Sequence, residues 1–318
     1  MACEVDVEPA GRSNGRAPTR RAKTLLLWRG DTEWCTALGF LAPLVAFVIG
    51  LIVVPVIGTF WGSLFLDVTF LPRRFINLAN YLGLWHDPAF WRAVRFTFFF
   101  VLVSVPVEII VGLGMALILH EHFPLRGLLR ACVLIPWAIP AAVSGRAFEL
   151  IYNSSYGAAN FVLSSLGITD APVNWLGSEI GAFAAIVVAD AWKTTPFAAI
   201  LLLAGLSAIP EDLYRQAMVD RANAVQRFSR ITLPLLRPVL VVTVLFRSVE
   251  ALRVFDLIFV LTGGGPGGST LSLSLLAYGY FSSGDFGYGS AASVVLFFLA
   301  LGLSVVYMRL GGFAKEMQ

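Results

Sequence analysis

The run from Ala93 to Leu119 reads AVRFTFFFVLVSVPVEIIVGLGMALIL, with Arg95 and Glu108 as its only ionisable side chains. A helix rises about 1.5 Å per residue, so about 20 mostly apolar residues cross about 30 Å of hydrocarbon, and this run is longer than that. It lacks the apolar–polar alternation of a barrel strand, which spans a bilayer in about ten residues. A buried helix at membrane depth is the reading it supports.

Five further stretches qualify, at about 36–64, 128–152, 180–206, 238–261 and 288–308. That at 128–152 is less apolar and holds Pro136 and Pro140; that at 180–206 contains Asp190, Lys193 and Pro196; that at 238–261 carries four charges. The first begins too far into the chain, and is too long, for a cleaved leader. Of 318 residues 58% are hydrophobic and only 14% charged, against about 25% charged in soluble domains. A soluble fold of this size leaves about a quarter of its unfolded surface in water, which this composition cannot cover with polar groups. Three scattered cysteines, Cys3, Cys35 and Cys132, exclude a disulfide scaffold. The net charge of +3 is too small to argue for nucleic acid. The expected fold class is all-α: a polytopic membrane protein with six transmembrane helices.

Loop charge gives the orientation. Arg12, Arg16, Arg20, Arg21, Lys23 and Arg29 precede the first stretch, Arg126 and Arg130 follow the second, and five arginines from Arg215 to Arg237 separate the fourth from the fifth. Arg309 and Lys315 close the chain, whereas the loops 152–180 and 262–286 have no Lys or Arg. Only the loop at 65–92 runs against the pattern, with Arg73, Arg74 and Arg92. The positive-inside rule therefore puts both termini in the cytoplasm. Residues 1–35 read as a flexible basic cytoplasmic tail, with a membrane-surface turn near Leu25–Trp28. Residues 36–310 form the six-helix membrane domain, and 311–318 a second cytoplasmic tail.

Ionisable groups at bilayer depth cost about 2.5–3.5 kcal/mol each, so they face a bundle interior or a watery path. The fifth stretch places Arg247, Glu250, Arg253 and Asp256 at three-residue steps with alternating sign, so neighbours meet across one helical turn. Arg146 with Glu149, and Asp190 with Lys193, repeat that spacing. A single such pair serves equally to neutralise itself or to line a path; a whole charged side of one helix favours a polar cavity. Trp192 and Phe255 stand beside these charges and offer flat faces for a sugar, or for ordinary bundle packing. Glu108 has two readings, the pathway or a bond to a neighbouring helix. Candidate pathway residues are therefore Glu149, Asp190, Trp192, Lys193, Glu250, Arg253, Phe255 and Asp256, with no metal site and no catalytic group among them. The prolines within the spans each remove a backbone donor and permit a kink.

Enzyme motifs fail. Gly263 to Thr270 mimics a phosphate-binding loop, but Ser269 stands where the phosphate-gripping lysine belongs, and the stretch follows a span rather than a strand. A flexible external loop is the expectation there. His120-Glu121-His122 lacks the spacing of a helical zinc site, and His86 lies across the membrane. No Gly-x-Ser-x-Gly elbow occurs.

The cytoplasmic loop 208–237 is more informative. Pro210, Glu211 and Asp212 start a helix with acids at its positive end. Leu213, Ala217 and Asp220-Arg221 continue it into a turn, and Val225, Phe228 and Ile231 mark a second amphipathic piece ending at Leu233-Pro234. Two short helices of this kind form a knob suited to a partner's groove.

This loop resembles the EAA loop of binding-protein-dependent ABC importer permeases of the sugar-transport (maltose permease) family, with Ala217, Asp220, Ala222, Phe228 and Ile231-Thr-Leu-Pro234 at matching offsets. Asn80-Tyr81, Asp87 to Trp91, Leu134 to Pro140, Trp192 to Phe197 and Phe255 to Pro266 resemble other parts of that family in order. Within it the chain looks most like actinobacterial permeases of the trehalose or disaccharide type. The resemblance implies a type I ABC importer permease fold that works with a second homologous permease, two ATPase subunits and an extracytoplasmic sugar-binding lipoprotein in a bacterial cell membrane. It implies that Glu211, Leu213, Tyr214, Ala217, Met218, Val219, Asp220, Arg221, Ala222 and Phe228 couple to the ATPase, and that ATP and Mg are bound there and not in this chain. Arg215 and Gln216 depart from the family's Glu-Ala, and Arg221 replaces its turn glycine, although Arg disfavours the positive φ that glycine adopts freely. The rival class is an ion-coupled secondary transporter with Asp190, Glu250 and Asp256 as ion sites, against which no internal inverted repeat is evident.

Overall fold

A computed structural model describes Ala37 and residues 39–310; the basic N-terminal tail, the turn at Leu25–Trp28 and the tail 311–318 lie outside the described residues. The chain divides into two units, residues 1–58 and 59–318. Helix α1 (Gly39–Gly62) starts in the first, with a π-helical stretch at Ile49–Val53. A two-stranded antiparallel hairpin follows, β1 (Phe65–Leu66) on β2 (Arg74–Phe75), with Phe65 opposite Phe75. Arg73, one of the arginines that run against the loop pattern, is held by Asp67 at 3.3 Å and lies 4.4 Å from the centroid of the Phe65 ring. Asp67 and Phe65 thus account for that charge locally.

Helix α2 (Ala79–His86) leads into α3 (Pro88–His120). Asp87 caps α3 by accepting from the Ala89 N–H at 2.8 Å, and Pro88 takes the first-turn position where a missing donor costs nothing. Helices α4 (Arg126–Ala138) and α5 (Ala141–Ile151) meet at an 88° bend. The expected third span is therefore broken, because Pro140 cannot continue a helix and pushes Ile139 into extended backbone (φ −72°, ψ 133°). A short α6 (Ala158–Ser165) precedes α7 (Glu179–Ser207), capped by Ser178 accepting from Gly181 at 3.1 Å.

Helices α3 and α7 run parallel: Phe99 meets Phe183 at 4.9 Å, and further along a β-carbon on Gly112 would stand 3.3 Å from that of Ala198. Small residues let these backbones approach, as membrane helix interfaces require. Phe96, Phe100, Ile186 and Ala189 fill the contact, and Ala116, Leu119, Leu202 and Leu206 extend it toward the other end.

Beyond α7 come α8 (Glu211–Val219), a single turn α9 (Ala224–Arg227), a π-helical stretch Phe228–Thr232, and α10 (Leu233–Leu252). The expected fifth span does not continue to Leu261. It breaks at Arg253–Phe255 and resumes as α11 (Asp256–Leu261), so Arg253 lies outside any helix. A side chain from elsewhere stabilises the break: Ser272 Oγ donates to the Val254 carbonyl at 2.9 Å. Freed backbone groups at membrane depth demand such partners.

The glycine-rich stretch after α11 is ordered, contrary to the expectation of a flexible loop. Thr270, fully buried, bonds to Thr262 at 2.9 Å and to the Gly265 carbonyl at 2.6 Å, and Gly263, Gly264, Gly267 and Gly268 adopt positive φ to close the turns. Helices α12 (Leu273–Ser282) and α13 (Phe286–Leu310) complete the fold. Tyr280 donates to Asp87 at 2.6 Å, tying α12 to the start of α3; burial, then this bond, raises the Tyr280 hydroxyl above its ordinary pKa.

Among the described residues α1, α3, α7 and α13 are long and apolar enough to cross a membrane, and the bent pair α4–α5 is a fifth candidate. Helix α10, which carries Arg237, Arg247 and Glu250, does not qualify by composition.

Candidate functional site

A cleft of about 230 Å³ opens at the break between α10 and α11. Trp137 and Ala141 wall it from the α4–α5 bend, Asp190, Lys193 and Thr194 from α7, and Glu250, Arg253, Phe255 and Asp256 from the broken helix. Six of the eight pathway candidates read from the sequence thus surround one space. The other two lie elsewhere. Glu149 is bonded to Arg146 on its own helix, and Trp192 stands edge-on to Phe148 with centroids 5.4 Å apart.

The charge pairing departs from the three-residue rule: among the described residues no ion pair joins Arg253 to Glu250 or Asp256, and Asp190 does not pair with Lys193. Arg247 does bond Glu250 across a turn, but Asp190 turns away from Lys193 to bond Arg247 at 3.4 Å. Lys193 donates to the Trp137 carbonyl at 3.4 Å instead. Local spacing assigns partners only within a helix, whereas the guanidinium of α10 reaches α7 and α3 at once. Its Nε donates to Glu108 at 2.5 Å, which resolves Glu108 as an interhelical partner. Arg247 and Glu108 were not among the sequence-derived site residues, since their partners lie 139 positions apart. The only signal in the sequence was that each is a charge at membrane depth.

The cleft offers carboxylate acceptors, cationic donors and aromatic surface within a few ångströms. Trp137 stacks on Phe197 at 5.4 Å, and Phe255 on Phe259 at 5.5 Å. Such a lining can hydrogen-bond a polyol and cover its apolar faces, and it holds no nucleophile–base arrangement.

The second candidate element is the knob formed by α8 and α9. Glu211 and Asp212 sit in the first turn of α8, where Arg215 bonds Glu211 at 3.1 Å. Its end is a Schellman turn: the Ala222 N–H reaches the Ala217 carbonyl at 2.9 Å and the Arg221 N–H that of Met218 at 3.1 Å. Arg221 occupies the left-handed position with φ 54°. The chain keeps the glycine conformation without the glycine. Asn223 and Gln226 then form a reciprocal capping box that starts α9. Tyr214 bonds Thr232 at 2.9 Å, fastening α8 to the foot of α10. Leu213 and Phe228 are half-buried beneath the knob, while Met218, Val219 and Val225 are exposed by 53%, 83% and 74%. Val225 therefore does not share an inward face with the half-buried Phe228 and Ile231.

The left-handed Arg221 predicts a measurable strain. Arg221→Gly is expected to stabilise the turn by about 1 kcal/mol and to raise the unfolding temperature of the purified chain, since an L-residue pays roughly that much for this conformation. An unchanged or lower temperature would show that the arginine side chain compensates locally.

Residues 108–311 match the model of a family described as binding-protein-dependent transport system inner membrane component. The trehalose/maltose transport system permease protein of Thermococcus litoralis is 54% identical over 282 residues, covering 88% of this chain and 95% of that protein. The trehalose transport system permease protein of Mycobacterium tuberculosis is 36% identical over 276 residues, covering 86% and 87% respectively. A chain of the crystal structure of a bacterial alginate ABC transporter, solved in complex with an alginate pentasaccharide-bound periplasmic protein, aligns with a TM-score of 0.75 at 21% identity, over 89% of this chain and 96% of that one. At that identity the likeness is one of fold. The family match and the relatives' identity show that the chain belongs to the binding-protein-dependent transport system inner membrane component family: it is a multi-pass permease subunit of an ABC importer, neither an enzyme nor an ion-coupled secondary transporter.

Proposed function

We propose that this subunit forms half of the translocation pathway of an ATP-driven importer of a disaccharide or oligosaccharide, with the cleft beside the α10–α11 break as its contribution to the sugar path. The observation that carries the reading is the convergence of Asp190, Lys193, Glu250, Arg253, Phe255 and Asp256 on one space at membrane depth. Sugars present many hydroxyls and little charge, and mixed-sign polar groups with aromatic faces suit them. The names of the 54% and 36% identical relatives favour trehalose or maltose as the first compounds to test.

A second homologous permease supplies the other half of the path, and an extracytoplasmic binding protein delivers the sugar. Two ATPase subunits bind ATP and Mg and close against the loop 208–237. In this reading α10–α11 is a sixth crossing, kinked at the cleft, and both termini lie in the cytoplasm of a bacterial cell. Reconstitution with these partners is expected to give trehalose- or maltose-dependent ATP hydrolysis, and Glu250→Ala to raise the sugar KM without loss of the assembled complex. Normal sugar uptake by Glu250→Ala would remove the cleft from the path.

The topology carries its own expectation. Cysteines introduced at Ser154 and Ser229, both exposed, should behave oppositely in intact cells: the first labelled by an impermeant maleimide, the second protected. Labelling at Ser229 would reverse the orientation.

A further inference from the structure

We propose that Arg247 and Glu108 are a positioning pair, which holds the carboxylates of Asp190 and Glu250 in place as acceptors for the sugar; this rests on the cleft being the sugar path. Each of the three guanidinium nitrogens of Arg247 is spent on a different acid. Nε takes Glu108 on α3 at 2.5 Å, Nη2 takes Asp190 on α7 at 3.4 Å, and Nη1 takes Glu250 one turn along α10.

Exposure separates the roles. The Arg247 side chain is 2% exposed and that of Glu108 fully buried, while Asp190 shows 9% and Glu250 43%. Glu108 therefore cannot reach a sugar. Arg247 also borders the cleft, but only 2% of its side chain is exposed and three of its five N–H groups already hold acids. Asp190 and Glu250 are the two acids of the network that line the cleft. Glu108 Oε1 is buried with no hydrogen-bond partner, so its bond to Arg247 is the contact that fixes this carboxylate.

The energetic consequence follows from ordering. A long side chain that is fixed before binding need not lose its rotamer freedom when the sugar arrives, and a fixed acceptor binds more tightly than a free one. Glu108 contributes by locking the guanidinium from the bundle side, so that its other two edges point at Asp190 and Glu250 in a set geometry. A planar guanidinium can link acids on three helices in this way, and a lysine ammonium cannot present the same planar set of donors.

The test is sugar uptake by proteoliposomes containing the complete importer, with trehalose and maltose as probes. Glu108→Gln keeps the volume and removes the charge. It is expected to raise the sugar KM about tenfold while ATP hydrolysis at saturating sugar stays within about twofold, the pattern of lost ground-state positioning. Glu108→Asp should recover part of the loss. If Glu108→Gln does not assemble, Glu108→Met and Arg247→Lys ask the same question with different chemistry. An unchanged KM in an assembled Glu108 or Arg247 variant overturns the pair. Glu250→Ala distinguishes the two levels: a raised KM there with normal Glu108→Gln refutes positioning alone, and a normal KM in both removes the cleft reading beneath it.

Discussion

Val219→Asp is expected to abolish sugar-dependent ATP hydrolysis while leaving the permease folded. Val219 is 83% exposed on the last turn of α8, beside Met218, and exposed substitutions away from special backbone positions usually change stability by less than about 0.5 kcal/mol. At a docked interface the same aspartate would be buried without a partner, which costs several kcal/mol. The knob is firmly joined to the helix that breaks at the cleft. The Schellman turn and capping box fix its two pieces, and the Tyr214–Thr232 bond ties it to the foot of α10, whose far end breaks at the cleft. In the proposed coupling, a push on α8 would pass to the helix that carries Arg247 and Glu250 and ends at the Arg253–Phe255 break. Ala217→Trp, at the half-buried third-last position of α8, should have the same effect by overpacking. The measurement is ATP hydrolysis by the reconstituted importer with and without sugar, together with recovery of the ATPase on the tagged permease. Full sugar-stimulated hydrolysis by the Val219→Asp, Ala217→Trp double variant would show that coupling runs elsewhere.

Apolar runs made the membrane helices legible, because bilayer thickness dictates their length whatever their neighbours are. Residues 180–206 coincide within a residue with Glu179–Ser207 for that reason. The break at Arg253–Phe255 was not legible, since no proline or glycine marks it and the side chain that satisfies it, Ser272, lies outside the stretch. Pro140 announced a kink, but only packing sets its 88° angle. The order of the Gly263–Gly268 turns depends on Thr262 and Thr270, whose hydroxyls look like ordinary loop polarity in the sequence. The site divides the same way. Charges at membrane depth identified the cleft lining, yet the partner of Asp190 came from another helix and not from the i+3 lysine, because interhelical geometry outranks local spacing. Arg221 shows the converse: the sequence flagged a missing glycine, and the backbone kept the left-handed turn regardless.

Arg247→Leu alone is expected to prevent assembly. It removes the cation that Glu108, Asp190 and Glu250 share, and two of those acids are almost wholly enclosed. Breaking a buried ion pair from one side costs about 3–5 kcal/mol, because the surviving charge has neither water nor partner, and here more than one survives. A domain whose net stability is about 5–15 kcal/mol has little margin against that loss. Arg247→Leu combined with Glu108→Leu and Asp190→Leu removes the buried charges together and restores apolar packing, an exchange that is often neutral or stabilising. The triple variant should therefore be recovered with its partner subunits where the single variant is not, as judged by yield on size-exclusion chromatography. It should still transport poorly, since it removes the Asp190 acceptor and leaves Glu250 without the guanidinium that positions it. Recovery of Arg247→Leu alone at the level of the parent chain would show that water reaches Glu108 and Asp190, and that the network is a solvated feature of the path and not a sealed one.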